Sequence, residues 1–320
     1  MTARRSFVLA AAAATAAPSI AFGQGAFPER PITLYCPWTP GGNTDIALRA
    51  LAEAASRHFG RRVIIENKPG AGGVLGAVSV GTNAKPDGYT IAQIPITVFR
   101  YPHMQRTTFN SLTDLTWVIC IAGYLFGTCV RADSPWKTWQ ELVAFARANP
   151  GKLAYASPGV GTSLHLTMDD IARREGIDWL QVPYKGHPDM IAALKGGEVQ
   201  VYASTPPWEL VESGFVRVLA TWGENRSPRS PDAPTLKELG YGIVSNSPWG
   251  IAGPKGLPPA IARSIHDGFR AAMQDATYLA TLQRLGMEPF YRASDDYFRW
   301  AVKAEAYEKA AVERLGLAKK

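Results

Sequence analysis

Cysteine, histidine and long apolar runs are all scarce in this 320-residue chain, and each scarcity removes a class of protein. Three cysteines, Cys36, Cys120 and Cys129, are too few to staple a chain of this size with a disulfide framework. Cys120 and Cys129 would pair only if their segments ran side by side; otherwise all three read as buried strand thiols. The five histidines, His58, His103, His165, His187 and His266, show no His-Glu-x-x-His spacing and no grouping with the cysteines. That argues against a catalytic metal. Neither a GxxxxGK[ST] phosphate loop nor a GxSxG nucleophile elbow is present. "PGAGGVLG" misses the spacing of a dinucleotide loop and lacks a matching acid after a following strand. Lysines and arginines are scattered, so nucleic acid is not expected as a partner, although a net charge of +7 suits small anions. Beyond the N-terminus no stretch is apolar enough to cross a bilayer.

The N-terminus is a different kind of sequence. "MTARRSFVLAAAAATAAPSIAFGQ" has basic Arg4 and Arg5, an apolar run from Phe7 to Ala17, and Ala21-Phe22-Gly23 as a small-x-small cleavage site. The first acid is Glu29. Residues 1–23 therefore read as a cleavable signal peptide, with the mature chain starting near Gln24. The apolar run is short for an uncleaved anchor, and the Arg-Arg-Ser-Phe order leaves both general and twin-arginine export open. The expectation is an exported, periplasmic protein.

What the rest of the chain has is alternation. "ITLYCPW" (32–38) reads as a strand, 44–58 as a helix stopped by Gly60, and "RVIIEN" as a strand. A helix follows over 74–83, then the strand "YTIAQIPI". "WVICIAGYLFGTCVRA" (117–132) reads as one long strand. Thr138 and Glu141 form a capping box ahead of "WQELVAFARAN". Strands at 152–157, 179–184, 199–204 and 215–222 alternate with helices ending near Glu175 and at "PDMIAALKGG". A strand at 247–254 and helices opening at Pro258-Pro259, 276 and 294 complete the chain. This β-loop-α rhythm predicts an α/β protein with parallel-rich sheets covered by helices. Two units are implied, joined by strands crossing near 122 and 248. One holds residues 24–122 and 248–320, the other 123–247.

Four strand-to-helix loops are rich in glycine: "WTPGGNT" (38–44), "PGAGG" (69–73), "PGVGTS" (158–163) and "YKGHPD" (184–189). Such loops lie at the carboxyl ends of strands, where open α/β sheets bind ligands. Each helix start offers unpaired N–H groups and a positive dipole end, which suit a carboxylate or phosphate. Singly, such a loop is more often a plain turn. His165 reads as a hydrogen-bonded structural residue, with orienting its loop or touching an anionic ligand as the alternative. Asp45 and Asp189 read as caps or water-holding residues, because a carboxylate would repel an anionic ligand. Lys185 either pairs with an anion or is simply solvated. Among Trp38, Phe99, Tyr124, Phe126 and Trp208, most should pack the core while one or two wall a cleft.

The motifs together carry a resemblance. Pro40-Gly41-Gly42-Asn43-Thr44-Asp45, the stretch Val63 to Gly73, and Pro86-Asp87-Gly88-Tyr89-Thr90 are similar to the opening motifs of Bug-type solute receptors of tripartite tricarboxylate transporters. "ANPGKLAYASPGVGTSLHL", "VPYKGHPDMIAALKGGEV", "SPDAPTLKELGY" and "GIAGPKGLPP" extend the likeness over the mature chain. The resemblance implies a Venus flytrap of two α/β lobes, the periplasmic-binding-protein fold in a type II-like form, closing on a small organic acid. It implies a monomer that works with membrane permease subunits, without cofactor or catalysis. Carried over by position, the ligand would meet Trp38, Thr39, Gly41 and Gly42 in the first loop and Gly72 and Gly73 in the second. Gly161, Thr162, Ser163 and His165 follow in the third, and Tyr184, Lys185 and Gly186 in the fourth.

Two departures from the family pattern bear on the ligand. Gly196-Gly197-Glu198-Val199-Gln200 lacks the acid that many members carry after the valine. "IPITVFR" stands where many have a G-T-x-x-T segment, which makes that wall more apolar and leaves Thr97 as its polar group. With Trp38 and Trp208, this favours an aromatic or longer-chain acid, dicarboxylic acids included, over citrate. A sensor adaptor, in which a membrane signalling protein reads the same closed form, is the alternative function. A periplasmic enzyme is the third class and has no visible nucleophile-base pair.

Overall fold

Gly60 ends the first helix because its φ of 62° is left-handed, a conformation glycine adopts without strain. Stops of this kind, alternating with short apolar strands, set the element order. A computed structural model of the chain describes residues 27–319, so the expected signal peptide lies outside the described residues. The first half runs β1 (Ile32–Cys36), α1 (Asn43–Phe59), β2 (Val63–Asn67), α2 (Leu75–Asn83), β3 (Thr90–Ile94), α3 (Thr97–Met104), β4 (Leu115–Tyr124) and β5 (Gly127–Arg131). Next come α4 (Trp139–Ala148), β6 (Ala154–Ser157), α5 (Ser163–Glu175), β7 (Leu180–Pro183), α6 (His187–Gly196), β8 (Val201–Ser204), α7 (Trp208–Glu212) and β9 (Val216–Thr221). The chain closes with β10 (Trp249–Pro254), α8 (Pro259–Ala272), α9 (Ala276–Leu285), β11 (Met287–Arg292) and α10 (Ser294–Arg314).

The strands form two sheets, ordered β11-β4-β10-β3-β1-β2 and β7-β6-β8-β5-β9. Each has a parallel part built from βαβ units, β2-β1-β3 in one and β7-β6-β8 in the other. The strands that carry the chain between sheets pair antiparallel: β10 with β3 and β4, β5 with β8 and β9. Separate apolar clusters fill the two lobes. Ile32, Leu34, Leu48, Leu51, Ile119 and Phe269 belong to the first, and Leu142, Met168, Ile171, Val201 and Trp222 to the second. Burying each such side chain contributes roughly 1.5–3 kcal/mol, so each lobe has a core of its own.

The single strand expected over 117–132 is two. Between β4 and β5 the backbone changes its hydrogen-bond partners from those of one sheet to those of the other. Tyr124 N–H goes to Asn246 O (2.8 Å), and Phe126 O accepts from Trp222 N–H (2.9 Å). That break is where the chain passes from one sheet to the other. Cys120 and Cys129 therefore sit in different sheets, and all three cysteines are free and buried. Burial pushes the Cys36 and Cys120 thiols up to about 12. Helix α3 occupies a stretch that reads as irregular, because its β-branched start hides a turn closed by Val98 N–H to Pro95 O and Phe99 N–H to Ile96 O. The edge strand β11 and short α7 are also illegible from periodicity; β11 contains a proline, tolerated there because an edge strand leaves some N–H groups unpaired.

Candidate functional site

All four glycine-rich loops meet where the lobes face each other. A Cβ on Gly186 would stand 2.1 Å from Thr39 Oγ1, and one on Gly42 would stand 3.6 Å from Pro188 Cδ. A Cβ on Gly72 would stand 3.1 Å from the carbonyl oxygen of Val160. The first loop thus touches the fourth and the second touches the third. At Gly186 and Gly72 a side chain would crowd the facing loop, whereas the contact at Gly42 is an ordinary one.

Between these contacts lies a cavity of about 70 Å³. Trp38, Gly42, Asn43, Thr44, Thr97 and Tyr124 line it from the first lobe and the crossing, and Phe126, Thr162, Ser163, Leu164, Gly186, His187, Ser204 and Thr205 from the second. Ser247, on the return crossing, completes the wall. The aromatic part is Trp38 with Tyr124 and Phe126, whose rings stack at 5.4 Å. Thr44 Oγ1 and Tyr124 Oη are hydrogen-bonded at 2.8 Å. A wider pocket of about 450 Å³ adjoins the cavity, sharing Trp38, Thr97 and Pro158, and is lined also by Gly72, Tyr184 and Lys185.

The lobes build their helix starts alike. In α1 the N-cap is Gly42, and the preceding Gly41 donates its N–H to Asp45 Oδ2 (2.9 Å). In α5 the N-cap is Thr162, and the preceding Gly161 donates its N–H to His165 Nδ1 (3.1 Å). These glycine amides are already paired. The amides left without an intrahelical acceptor belong to the first residues of each helix. Asn43, Thr44, Ser163 and Leu164 hold those positions, and all four line the cavity.

Asp45 also accepts from Arg49 (3.0 Å) and from Asn67 Nδ2 (2.8 Å), whose other bond goes to Trp38 O. Burial would raise the Asp45 carboxyl, but the bonds from Arg49, Gly41 and Asn67 outweigh it and hold the pKa below the usual value. His165 is held below its ordinary value by burial. Burial also pushes His187, hydrogen-bonded to Tyr202, down to about 4. Both imidazoles are therefore neutral near pH 7.

Of the residues expected from sequence, Trp38, Gly42, Thr97, Thr162, Ser163 and Gly186 line the cavity. Gly72, Tyr184 and Lys185 line the adjoining pocket. Thr39, Gly41, Gly73, Gly161 and His165 line neither and instead shape the loops. Gly73, at φ 90°, leaves room for the indole of Trp38, and Thr39 packs on Gly186. Of the five aromatics, Trp38, Tyr124 and Phe126 wall the cavity, while Phe99 stacks on Trp117 in the core. Trp208 lies outside the cavity, against Gly286, so it does not shape the ligand space. Sequence reasoning missed Thr44, His187, Ser204, Thr205 and Ser247. The first two could have been found as the second residue of α1 and the first of α6; the others have no pattern to mark them.

Comparison with known proteins agrees with this geometry. A family model described as "Tripartite tricarboxylate transporter family receptor" matches residues 47–317. A Cupriavidus necator protein, described as the UPF0065 protein in the gbd 5' region, is 48% identical over 324 residues, 99% of each chain. The structure of the periplasmic binding protein BugD superposes with a TM-score of 0.87 at 27% identity, covering 92% of this chain and all of that one. An R. palustris protein solved with adipate superposes with a TM-score of 0.84 at 28% identity, covering 91% and 99%. This chain therefore belongs to the receptor family of the tripartite tricarboxylate transporters, proteins that bind solutes rather than transform them.

Proposed function

We propose that this protein binds a small organic carboxylate between its lobes in the periplasm and delivers it to the permease subunits of a tripartite tricarboxylate-type transporter. The observation that carries this reading is the cavity itself. The first residues of two helices, one from each lobe, line it, and so do the hydroxyl-bearing residues Thr44, Thr97, Ser163 and Ser247. Amides at a helix start favour an anion, and donors from both lobes make the bound form the closed form. A carboxylate held this way bridges the lobes and shifts the population toward closure.

The walls narrow the ligand further. Trp38, Tyr124 and Phe126 give the cavity an apolar side suited to a methylene chain or a ring. The adjoining pocket, with Lys185 at its exposed edge, can take a second carboxylate. A linear dicarboxylate or an aromatic acid fits this better than a compact tricarboxylate, and a related protein has been solved with adipate. The receptor works as a monomer exported by its signal peptide, with lobes of residues 24–122 plus 248–320 and residues 123–247.

Native mass spectrometry of freshly purified protein, followed by thermal melting against a panel of aliphatic and aromatic acids, tests this. At ligand a hundredfold above Kd, linkage adds about 2.7 kcal/mol, which raises Tm by several degrees. A panel with no shift and no change in tryptophan fluorescence would overturn the reading.

A further inference from the structure

His187 is the first residue of α6 and lines the cavity. A Cβ on Gly42, the N-cap of α1, would stand 3.7 Å from His187 Cβ. His187 thus comes from the fourth loop but stands beside the helix start that the first loop supplies. Its Nδ1 is hydrogen-bonded to Tyr202 Oη, which also lies 3.1 Å from the Thr205 carbonyl oxygen. Its Nε2 has no partner among the described residues and is not sealed in protein, so it opens on the cavity.

The protons of this chain place the imidazole hydrogen. A carbonyl only accepts, so the contact with Thr205 is a bond only if Tyr202 spends its single proton there. Tyr202 Oη then accepts from His187, and Nδ1 is the protonated nitrogen. The opposite tautomer would leave two acceptor oxygens facing each other around the fully buried Tyr202, a costly arrangement out of reach of water. Burial keeps the ring neutral, with its pKa pushed down to about 4. A neutral imidazole protonated at Nδ1 carries a bare lone pair at Nε2, which can only accept.

The rest of the wall is more adaptable. Ser163 Oγ accepts from Arg100 Nη2 (3.1 Å), whose Nε is anchored on Glu308 (2.6 Å), and lies 2.5 Å from Ser247 Oγ. Hydroxyls of this kind turn to donate or accept, and helix-start amides only donate. Nε2 is the fixed acceptor among them. A carboxylate oxygen set against it brings one lone pair to another, whereas a hydroxyl brings a proton. Among the described residues no Asp or Glu lines the cavity, so an ammonium group there would be buried without a counter-charge.

We propose that His187 Nε2 accepts a hydroxyl on the carbon next to the ligand's carboxylate, so that this receptor selects a 2-hydroxy acid over the plain, 2-oxo and 2-amino acids of the same chain. This deepens the carboxylate-receptor reading above and rests on it. The carboxylate lies against the start of α1, and the hydroxyl, one carbon away, faces His187 beside it. A plain acid leaves a water on Nε2, which moderates the gain. A 2-oxo acid turns its carbonyl oxygen to the lone pair. Tyr202 is a positioning residue, since it sets the tautomer without touching the ligand.

The experiment is calorimetric titration of the mature protein with glutarate, adipate and phenylacetate, and with the 2-hydroxy, 2-oxo and 2-amino derivatives of each. In any family that binds, one enantiomer of the hydroxy acid should bind about tenfold tighter than the plain acid, and the oxo and amino acids more weakly than the plain acid. His187→Phe should bring hydroxy and plain acid to within about twofold of each other. Tyr202→Phe, which frees the tautomer, should cut the preference to about threefold. Nitrogen-15 NMR of histidine-labelled wild type should show His187 protonated at Nδ1, a readout that stands even where neither variant folds. Protonation at Nε2, no hydroxyl preference in wild type, an oxo or amino acid as the tightest ligand, or a hydroxyl preference kept by His187→Phe overturns this inference alone. Wild type that binds none of these acids overturns the receptor reading and the inference with it.

Discussion

The helix starts of α1 and α5 solve the same problem with opposite chemistry. Each has a glycine of nearly equal φ before the N-cap, 77° at Gly41 and 78° at Gly161. Each pairs that glycine's amide with the side chain four residues on. The first lobe uses an anion, Asp45, tied to Arg49 and Asn67. The second uses the neutral imidazole of His165, with His187 as a further neutral imidazole in the neighbouring loop. The jaws are alike in shape and unlike in how they respond to protons.

That contrast is broken most strongly by acid. His187 has its pKa lowered from about 6.5 in the unfolded chain to about 4 in the fold. A lowered histidine pKa means the unfolded state binds more protons between those values, so stability falls as pH drops through that window. The shift corresponds to about 3 kcal/mol, lost between pH 6.5 and 4. His165, lowered in the same direction, adds to the loss. Asp45 is also lowered, but its contribution is present above its unfolded value near 4 and disappears only in stronger acid. Melting curves from pH 7 to 4 should show this fall in wild type, and His187→Phe should flatten most of it. An unchanged slope in that variant would assign the acid sensitivity elsewhere.

Asp45→Ala attacks the other jaw. It leaves the Gly41 amide and the Asn67 side chain without their acceptor, while Arg49, half exposed, returns to water at little cost. Gly41 is exposed and its amide can turn to water, while the partly buried Asn67 amide keeps Trp38 O, so the loss should be about 1 kcal/mol of stability, read by urea denaturation at pH 7. Asp45→Asn keeps one acceptor and should recover about half.

Much of this was legible in the chain. The prolines and glycines of "PWTPGGNTD" and "PGVGTSLH" mark strand-to-helix loops because glycine readily takes the left-handed turn before each cap. What the sequence hides is where the N–H groups point. Glycines read as ligand donors at 41 and 161 are instead held by Asp45 and His165, so the open donors move two or three residues on, to Asn43, Thr44, Ser163 and Leu164. Arg100 was invisible for another reason. It lies in the stretch after "YTIAQIPI" that reads as irregular, and only the fold brings it to Ser163 and Glu308, 63 and 208 residues away. Trp208 shows the reverse error: an aromatic near a loop packs against Gly286 because Gly286 has no side chain to keep it away.

The last difference between the jaws is steric. A methyl group at Gly42 meets nothing nearer than 3.4 Å, whereas one at Gly186 collides with Thr39 Oγ1 at 2.1 Å. Gly186 is extended, at φ 178°, so alanine there strains contact and not backbone. The lobes can relieve that contact by opening, which leaves each core intact. Gly186→Ala should therefore lower ligand affinity about 30-fold, about 2 kcal/mol, with a change in Tm of the unliganded protein near zero. Gly42→Ala should stay within about twofold of wild type, since an ordinary contact displaces nothing. Adding Thr39→Ala to Gly186→Ala removes the oxygen in the way and should restore most of the affinity; if it restores none, the clash is not what holds the lobes apart.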